Sequence, residues 1–230
     1  MPDASADGLT YTMRVRPGIF FADDTAFKGR QRELIAADYV FTIKRHYDAK
    51  VNSRHIGDFE GLIVGMDEML AETRAGGKFD YDRPVDGLKA LDRYTFQIKL
   101  KRYAPNFLFM MAHTTWMAAM AREVVEHYGE LIMEHPVGTG PYRLARWARS
   151  AKIVLEPNPR YRAVLWDAQP AADDLAGQAM LKRNEGKRLV RAKAKCRAAG
   201  IRFPANGSRV AVAPVPVSVS GSKILRRWAG

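Results

Sequence analysis

The sequence predicts an α/β fold: a lobe of mixed sheet with peripheral helices, followed by a basic tail that is foreign to it. Three observations carry this reading. Some segments alternate apolar and polar residues, the period of two that a half-buried strand needs, whereas others repeat apolar residues three and four apart, as an amphipathic helix does. The two kinds interleave along the chain, which argues for an α/β lobe over a helical bundle. Charge marks the end of that lobe. Of 37 bases and 25 acids, thirteen bases and a single acid, Glu185, lie in residues 182–230. Residues 1–181 therefore hold 24 of each, and the tail alone carries the net charge of +12.

Tyr11, Met13 and Val15 alternate with Thr12, Arg14 and Arg16, a strand stopped by Pro17-Gly18. Ile19-Phe20-Phe21 reads as the returning strand. Tyr39, Val40, Ile43 and Tyr47 form the apolar stripe of a helix, with Asp38 in the first turn and Lys44-Arg45 in the last to suit its dipole. Phe59, Leu62, Ile63, Met66 and Leu70 predict a second helix, ended by Gly76-Gly77. After the aromatic-acidic loop Phe79-Asp80-Tyr81-Asp82, the run Leu88 to Asp92 leads into a strand with Tyr94, Phe96, Ile98 and Leu100 on one face. Helices follow over Phe107 to Met111, behind Pro105, and over Arg122 to Tyr128, stopped by Gly129. The segment His135 to Tyr142 is a forced turn. Gly138 and Gly140 permit positive φ, while Pro136 and Pro141 fix φ and remove donors. Tyr142, Leu144, Ile153 and Leu155 then alternate as a hairpin would.

The turn His135-Pro136-Val137-Gly138-Thr139-Gly140-Pro141-Tyr142, with Trp147 and the run Ile153 to Tyr161, resembles the PVGTGPY…W…I.LE.NP.Y signature of the family 5 extracellular solute-binding proteins. These are the oligopeptide, dipeptide and nickel receptors of bacterial ABC importers. Tyr11 to Phe21 together with Ala37 to Arg45 resembles the family's YTF.LR.GV.F…G..LTA.DV.FS..R segment, and the stretches around Leu88-Lys89-Ala90-Leu91-Asp92 and Arg122 to Gly129 are similar to two more. The likeness runs over about residues 9 to 163 in the family's order. Two departures stand out. Asp24 takes the place of a turn glycine, and Ile35 replaces a threonine N-cap, which should cost the helix about 1 kcal/mol.

The resemblance implies a partial type II periplasmic-binding-protein lobe, cut from a receptor more than twice as long. It implies a small solute, most often a peptide, held between two lobes with no cofactor and no catalysis, and ABC permease subunits as partners of the full-length protein. The charged residues that hold a peptide's termini lie mostly in the lobe this chain lacks. Candidate ligand contacts here are His55 and Phe59, before the second helix, and Trp116, after the Phe107 helix. Gly138, Thr139, Gly140, Pro141 and Tyr142 are expected to shape the crossover near the hinge rather than to touch solute.

Enzymatic readings are weak. Glu123 and His127 share a helical face and His135 is near, but a zinc site needs three or four converging ligands and no spaced Cys/His set exists. His113, Thr114 and Ser150 follow no triad order, Cys196 has no partner, and there is no Walker loop or GxGxxG. The polar, acidic start (residues 1–8, expected to be disordered) has neither the basic nor the apolar region of a secretory signal, and no run of 18 apolar residues spans a membrane. As written the chain reads as cytoplasmic, whereas the family implies the periplasm.

Residues 9–181 thus form the partial lobe and residues 182–230 a basic, low-complexity tail, disordered or out of frame. The alternative function is a basic interaction protein that binds polyanions through the tail, with nucleic acid an unlikely partner. Val190 to Gly200 and Val210 to Ser220 are dominated by Ala, Arg, Gly, Pro, Val and Ser, as a GC-rich gene gives when read out of frame. Acids, family pattern and periodicity all fail together near Asn184 to Leu189. Resequencing the locus is expected to find a shifted frame that restores a downstream lobe; one intact frame through Gly230 would show the tail to be genuine.

Overall fold

The computed structural model of the chain describes residues 2–164 and 169–184. At its centre, β2 (Thr10–Arg14) pairs antiparallel with β4 (Thr95–Lys99), placing Tyr11 opposite Ile98 and Met13 opposite Phe96. Strands β1 (Asp3–Ala4) and β3 (Leu88–Ala90) extend this to a four-stranded sheet of order β1-β2-β4-β3. Period-two alternation sorts its faces: Tyr11, Met13, Leu88, Phe96 and Ile98 are buried, while Thr12, Gln97 and Lys99 point the other way. Helices α1 (Ala36–Tyr47), α2 (Ile56–Phe59), α3 (Met66–Arg74), α4 (Phe107–Ala112), α5 (Thr114–Met117) and α6 (Arg122–Tyr128) follow in chain order, with β3 and β4 between α3 and α4. A separate antiparallel hairpin, β5 (Tyr142–Ala148) with β6 (Lys152–Pro157), and α7 (Leu175–Asn184) come last.

The apolar stripe of α1 lies on the sheet, with Tyr39 stacked on Phe96 at 5.1 Å and Ile43 and Tyr47 fully buried. Unusually, α1 also buries polar groups, each of which fastens a different segment. Asp38 receives Arg32 through both guanidinium nitrogens (2.7 and 3.1 Å), and Arg32 continues to Glu123 of α6 at 2.8 Å. Met120 N donates to Thr42 Oγ1, and Lys44 Nζ donates to the carbonyls of Tyr81 and Arg83 at 2.8 and 2.7 Å. Tyr47 donates to the carbonyl of Phe59 at 2.6 Å, and Asp48, at the helix end, accepts the Tyr81 hydroxyl at 2.7 Å. The aromatic-acidic loop is thus clamped from one side by an ammonium and from the other by a carboxylate. Burial pushes the Lys44 pKa down and the Asp38 pKa up, the direction expected when water is withdrawn from a charge. Ile35 has no side-chain acceptor to cap the first turn, and only the reciprocal half of a capping box forms, with Asp38 Oδ2 accepting from Ile35 N at 2.8 Å.

Several expectations are corrected. Residues Asp3–Ala4, placed in a disordered start, pair with Tyr11 and Thr12. Ile19-Phe20-Phe21 does not return along β2, both of whose edges are occupied. Gly18, at φ 76°, turns the chain away, and the segment bonds to residues 32–34 instead. The second helix is broken in two: Gly61 and Gly65 adopt positive φ (74° and 80°), and Ile63 between them bridges to Leu100 as if it were sheet. The residues meant for one helical stripe are all buried, Phe59 from α2, Met66 and Leu70 from α3, and Leu62 and Ile63 from the irregular chain between them. The stretch from Leu88 is itself a strand rather than a lead-in. The boundary drawn at 181/182 is no structural break, since α7 runs to Asn184. Residues 185–230, which hold most of the basic tail, lie outside the described residues.

Gly87 packs directly against the backbone of Val64. A Cβ there would sit 2.2 Å from the Val64 carbonyl oxygen and 2.7 Å from its nitrogen, while the Gly87 carbonyl accepts from Lys99 N at 2.8 Å. Backbone cannot yield as a side chain does. Gly87→Ala is expected to destabilise the chain by about 2 kcal/mol or more, read as a lowered chemical-denaturation midpoint.

Candidate functional site

The residues picked from sequence meet at one place, with partners that periodicity had hidden. His55 occupies the N-cap position of α2 and Trp116 lies on α5; the Trp116 indole N–H donates to His55 Nδ1, and their rings meet edge to face at 5.5 Å. His46, on the last turn of α1, sits behind them. Its Nε2 donates to the Trp116 carbonyl at 2.8 Å, its Nδ1 lies 2.6 Å from Ser53 Oγ, and its ring stacks on Phe59 at 5.0 Å. His113 caps α5, its Nδ1 2.8 Å from Thr115 Oγ1, and its ring lies tilted against Trp116 at 5.1 Å.

The three predicted contacts are not equivalent. Phe59 is fully buried between His46 and Tyr47, so it supports the site from the core and touches nothing outside. Trp116 is half-buried and the His55 side chain about one third exposed (31%), so both reach the surface. His46, Ser53 and His113 were missed. His46 falls three residues after Ile43 on the apolar stripe of α1, and an imidazole on a buried stripe was the available signal. His113 had none, since only the fold brings it to Trp116.

The Pro136 to Tyr142 turn is built differently from expectation. Neither Gly138 nor Gly140 takes positive φ. What the segment offers is carbonyls. Gly138 O accepts from Ala22 N at 2.9 Å, Gly140 O from Asn158 Nδ2 at 2.8 Å, and Pro141 O from Asn158 N at 2.9 Å. Asn158 is buried, and its own Oδ1 accepts from Arg160 N at 2.9 Å, while Arg160 pairs with Asp23 at 2.9 Å. One amide side chain therefore joins the start of the hairpin to its end and, through Arg160, to the lobe. Asp24, the other departure from family pattern, caps the 3-10 turn Thr25–Phe27 and accepts the Tyr128 hydroxyl at 3.0 Å. The Tyr128 ring in turn stacks on His135 at 3.9 Å. Glu123, paired with Arg32, is committed to structure. Beyond the turn, a bulge at Ala145 resets the alternation of β5, so that Trp147 rather than Arg146 joins Tyr142, Leu144, Ile153 and Leu155 on one face. That face is open: Ile153 is 64% and Leu155 50% exposed.

The family model "Bacterial extracellular solute-binding proteins, family 5 Middle" matches residues 2–189. The chain belongs to this family. Similar proteins include the glutathione-binding protein GsiB of Pectobacterium atrosepticum, 26% identical and covering 80% of this chain, and di/tripeptide-binding protein 4 of Pseudomonas aeruginosa, 29% identical and covering 83%. The chain spans about a third of the length of these relatives (31% and 33%). Among solved structures, a periplasmic oligopeptide-binding protein of Borrelia burgdorferi superposes with a TM-score of 0.57 at 25% identity, over 81% of this chain and 36% of that one. Listeria monocytogenes OppA bound to peptide gives 0.55 at 21% identity, over 70% of this chain and 29% of that one, a likeness of fold. The mixed sheet and its helices are thus part of a family 5 solute-binding lobe.

The electrostatics of the site give a pH dependence. Burial disfavours the His46 imidazolium and holds its pKa below the ordinary 6.5. The unfolded chain, with an ordinary histidine, takes up a proton first as pH falls. The stability from neutral His46 is therefore present above about pH 6.5 and is lost as pH drops through that value toward the folded pKa. Thermal melts are expected to show a lower Tm at pH 5.5 than at pH 7.5, with a smaller loss in His46→Asn.

Proposed function

We propose that this chain supplies one wall of the solute site of an ABC-importer receptor, with His55, Trp116 and His113 on that wall. The solute class supported is a peptide, since the relatives are named for glutathione, di/tripeptide and dipeptide binding. Capture is by hydrogen bonds and aromatic contact, without covalent chemistry and without a cofactor. In the whole protein the loaded receptor would meet ABC permease subunits, in the periplasm.

The observation that carries this reading is the oriented indole. A tryptophan whose N–H is bound by one imidazole and whose carbonyl is bound by another is fixed before any ligand arrives, while part of its ring stays open to solvent. Preorganised aromatic surface of this kind loses little conformational freedom on binding. The Pro136 to Tyr142 segment has another role, the anchoring of the hairpin, because its carbonyls are already engaged.

The test is tryptophan fluorescence during titration with trialanine. A saturable change that disappears in Trp116→Phe is expected. The same change persisting in that variant would place the solute at another tryptophan and overturn the assignment.

A further inference from the structure

The bond that aims the Trp116 ring depends on one lone pair. An indole N–H can only donate, so His55 Nδ1 receives it as an acceptor, and the proton of the neutral imidazole sits on Nε2. A second group faces the same nitrogen. Asp58, in the first turn of α2, lies with its carboxylate 3.6 Å from His55 Nδ1, outside hydrogen-bond reach while that nitrogen carries no hydrogen. Its side chain has no other hydrogen bond or ion pair among the described residues, and its backbone N–H donates to the His55 carbonyl at 3.0 Å, which keeps the two residues together.

Protonation reverses this pattern. Both nitrogens of an imidazolium donate, so a charged His55 turns an N–H toward the indole N–H, and no rotation of the ring restores an acceptor. Asp58 then offers Nδ1–H a charged acceptor, in a bond about twice as strong as a neutral one. The other groups around His55 are neutral or cationic. His46 meets its ring edge-on at 6.1 Å from α1, with Arg45 beside it; Arg54 precedes it in the chain; and His113 lies against Trp116 on α5. His46 also behaves differently on protonation. Its Nε2 donates to the Trp116 carbonyl in either charge state, so the backbone of α5 stays clipped to α1.

We infer that His55 is an acid-operated latch on Trp116: as pH falls it takes up one proton, exchanges the indole for the Asp58 carboxylate, and frees the ring while the α5 backbone stays in place. A freed ring is no longer oriented in advance, and a solute that binds it bears the cost of ordering it. That consequence, though not the latch itself, rests on the reading that this wall meets solute.

The test is the indole ¹H–¹⁵N signal of Trp116 in the chain labelled with ¹⁵N-tryptophan, identified among four tryptophans by its loss in Trp116→Phe. From pH 7.5 to pH 5.5 the signal is expected to move upfield and its protection against solvent exchange to fall about fivefold or more, as loss of one hydrogen bond requires. In Asp58→Asn the transition is expected at lower pH, because the imidazolium loses its anionic partner. In His55→Asn, whose side-chain oxygen accepts from the indole but takes up no proton, it is expected to vanish. A wild-type signal unmoved across this range, or the same transition in His55→Asn, overturns the latch. Calorimetric titration with trialanine then tests the consequence. Binding is expected to weaken at pH 5.5 in the wild type and to stay level in His55→Asn. Trialanine affinity equal at both pH values, beside an indole transition that occurs, would sink the solute reading and leave the latch standing.

Discussion

The polar side chains of α1 are the constraint on which the rest of the lobe depends. A helix against a sheet needs only an apolar stripe, yet Asp38, Thr42, Lys44, His46 and Tyr47 each reach a different segment outside the sheet. Burying an ammonium and a carboxylate on one helix is costly, and it is offset because Lys44 donates to two carbonyls and Asp38 accepts from Arg32 and from Ile35 N. The apolar core would tolerate several placements of the peripheral chain, since contact between hydrocarbon groups has little direction. Hydrogen bonds to buried carbonyls do not. They set where the Phe79 to Arg83 loop, α2 and α5 come to rest.

The proposed solute wall inherits its geometry from this arrangement. Trp116 belongs to a helix of a single turn, too short to hold itself. Its place is fixed by the His46 bond to its carbonyl, and its ring is aimed by His55. The rigid element is thus the long helix, and the surface proposed to meet solute is a short one clipped to it. A binding surface gains by such clipping, because side chains with settled orientation need no rearrangement when a ligand arrives.

How far the sequence discloses this follows from which forces leave a periodic trace. The sheet, α1, α6 and the last hairpin were legible because half-burial imposes a period on Tyr11 to Val15, on Tyr39 to Tyr47 and on Tyr94 to Leu100. The Phe59 to Leu70 stripe misled for the same reason: all five residues are buried, but the positive φ at Gly61 and Gly65 interrupts the helix, so that irregular chain buries Leu62 and Ile63 between α2 and α3. Spacing reports burial more faithfully than it reports the backbone that achieves it. The site was half legible. His55 and Trp116 stood out by residue type, while the pairing of His113 with them is made by tertiary contact between segments with no shared pattern. The glycines of the turn suggested unusual dihedrals, and the structure uses the carbonyls of that segment instead.

Asn158 does the work of several residues in fastening the hairpin, and asparagine is chemically the most perishable residue to choose for it. Its amide is lost over time when the nitrogen of the following residue attacks the side-chain carbonyl and closes a cyclic imide. That attack requires a nitrogen bearing a hydrogen. The next residue is Pro159, whose nitrogen is fully substituted and has none. The proline that follows the staple therefore closes this route of ageing.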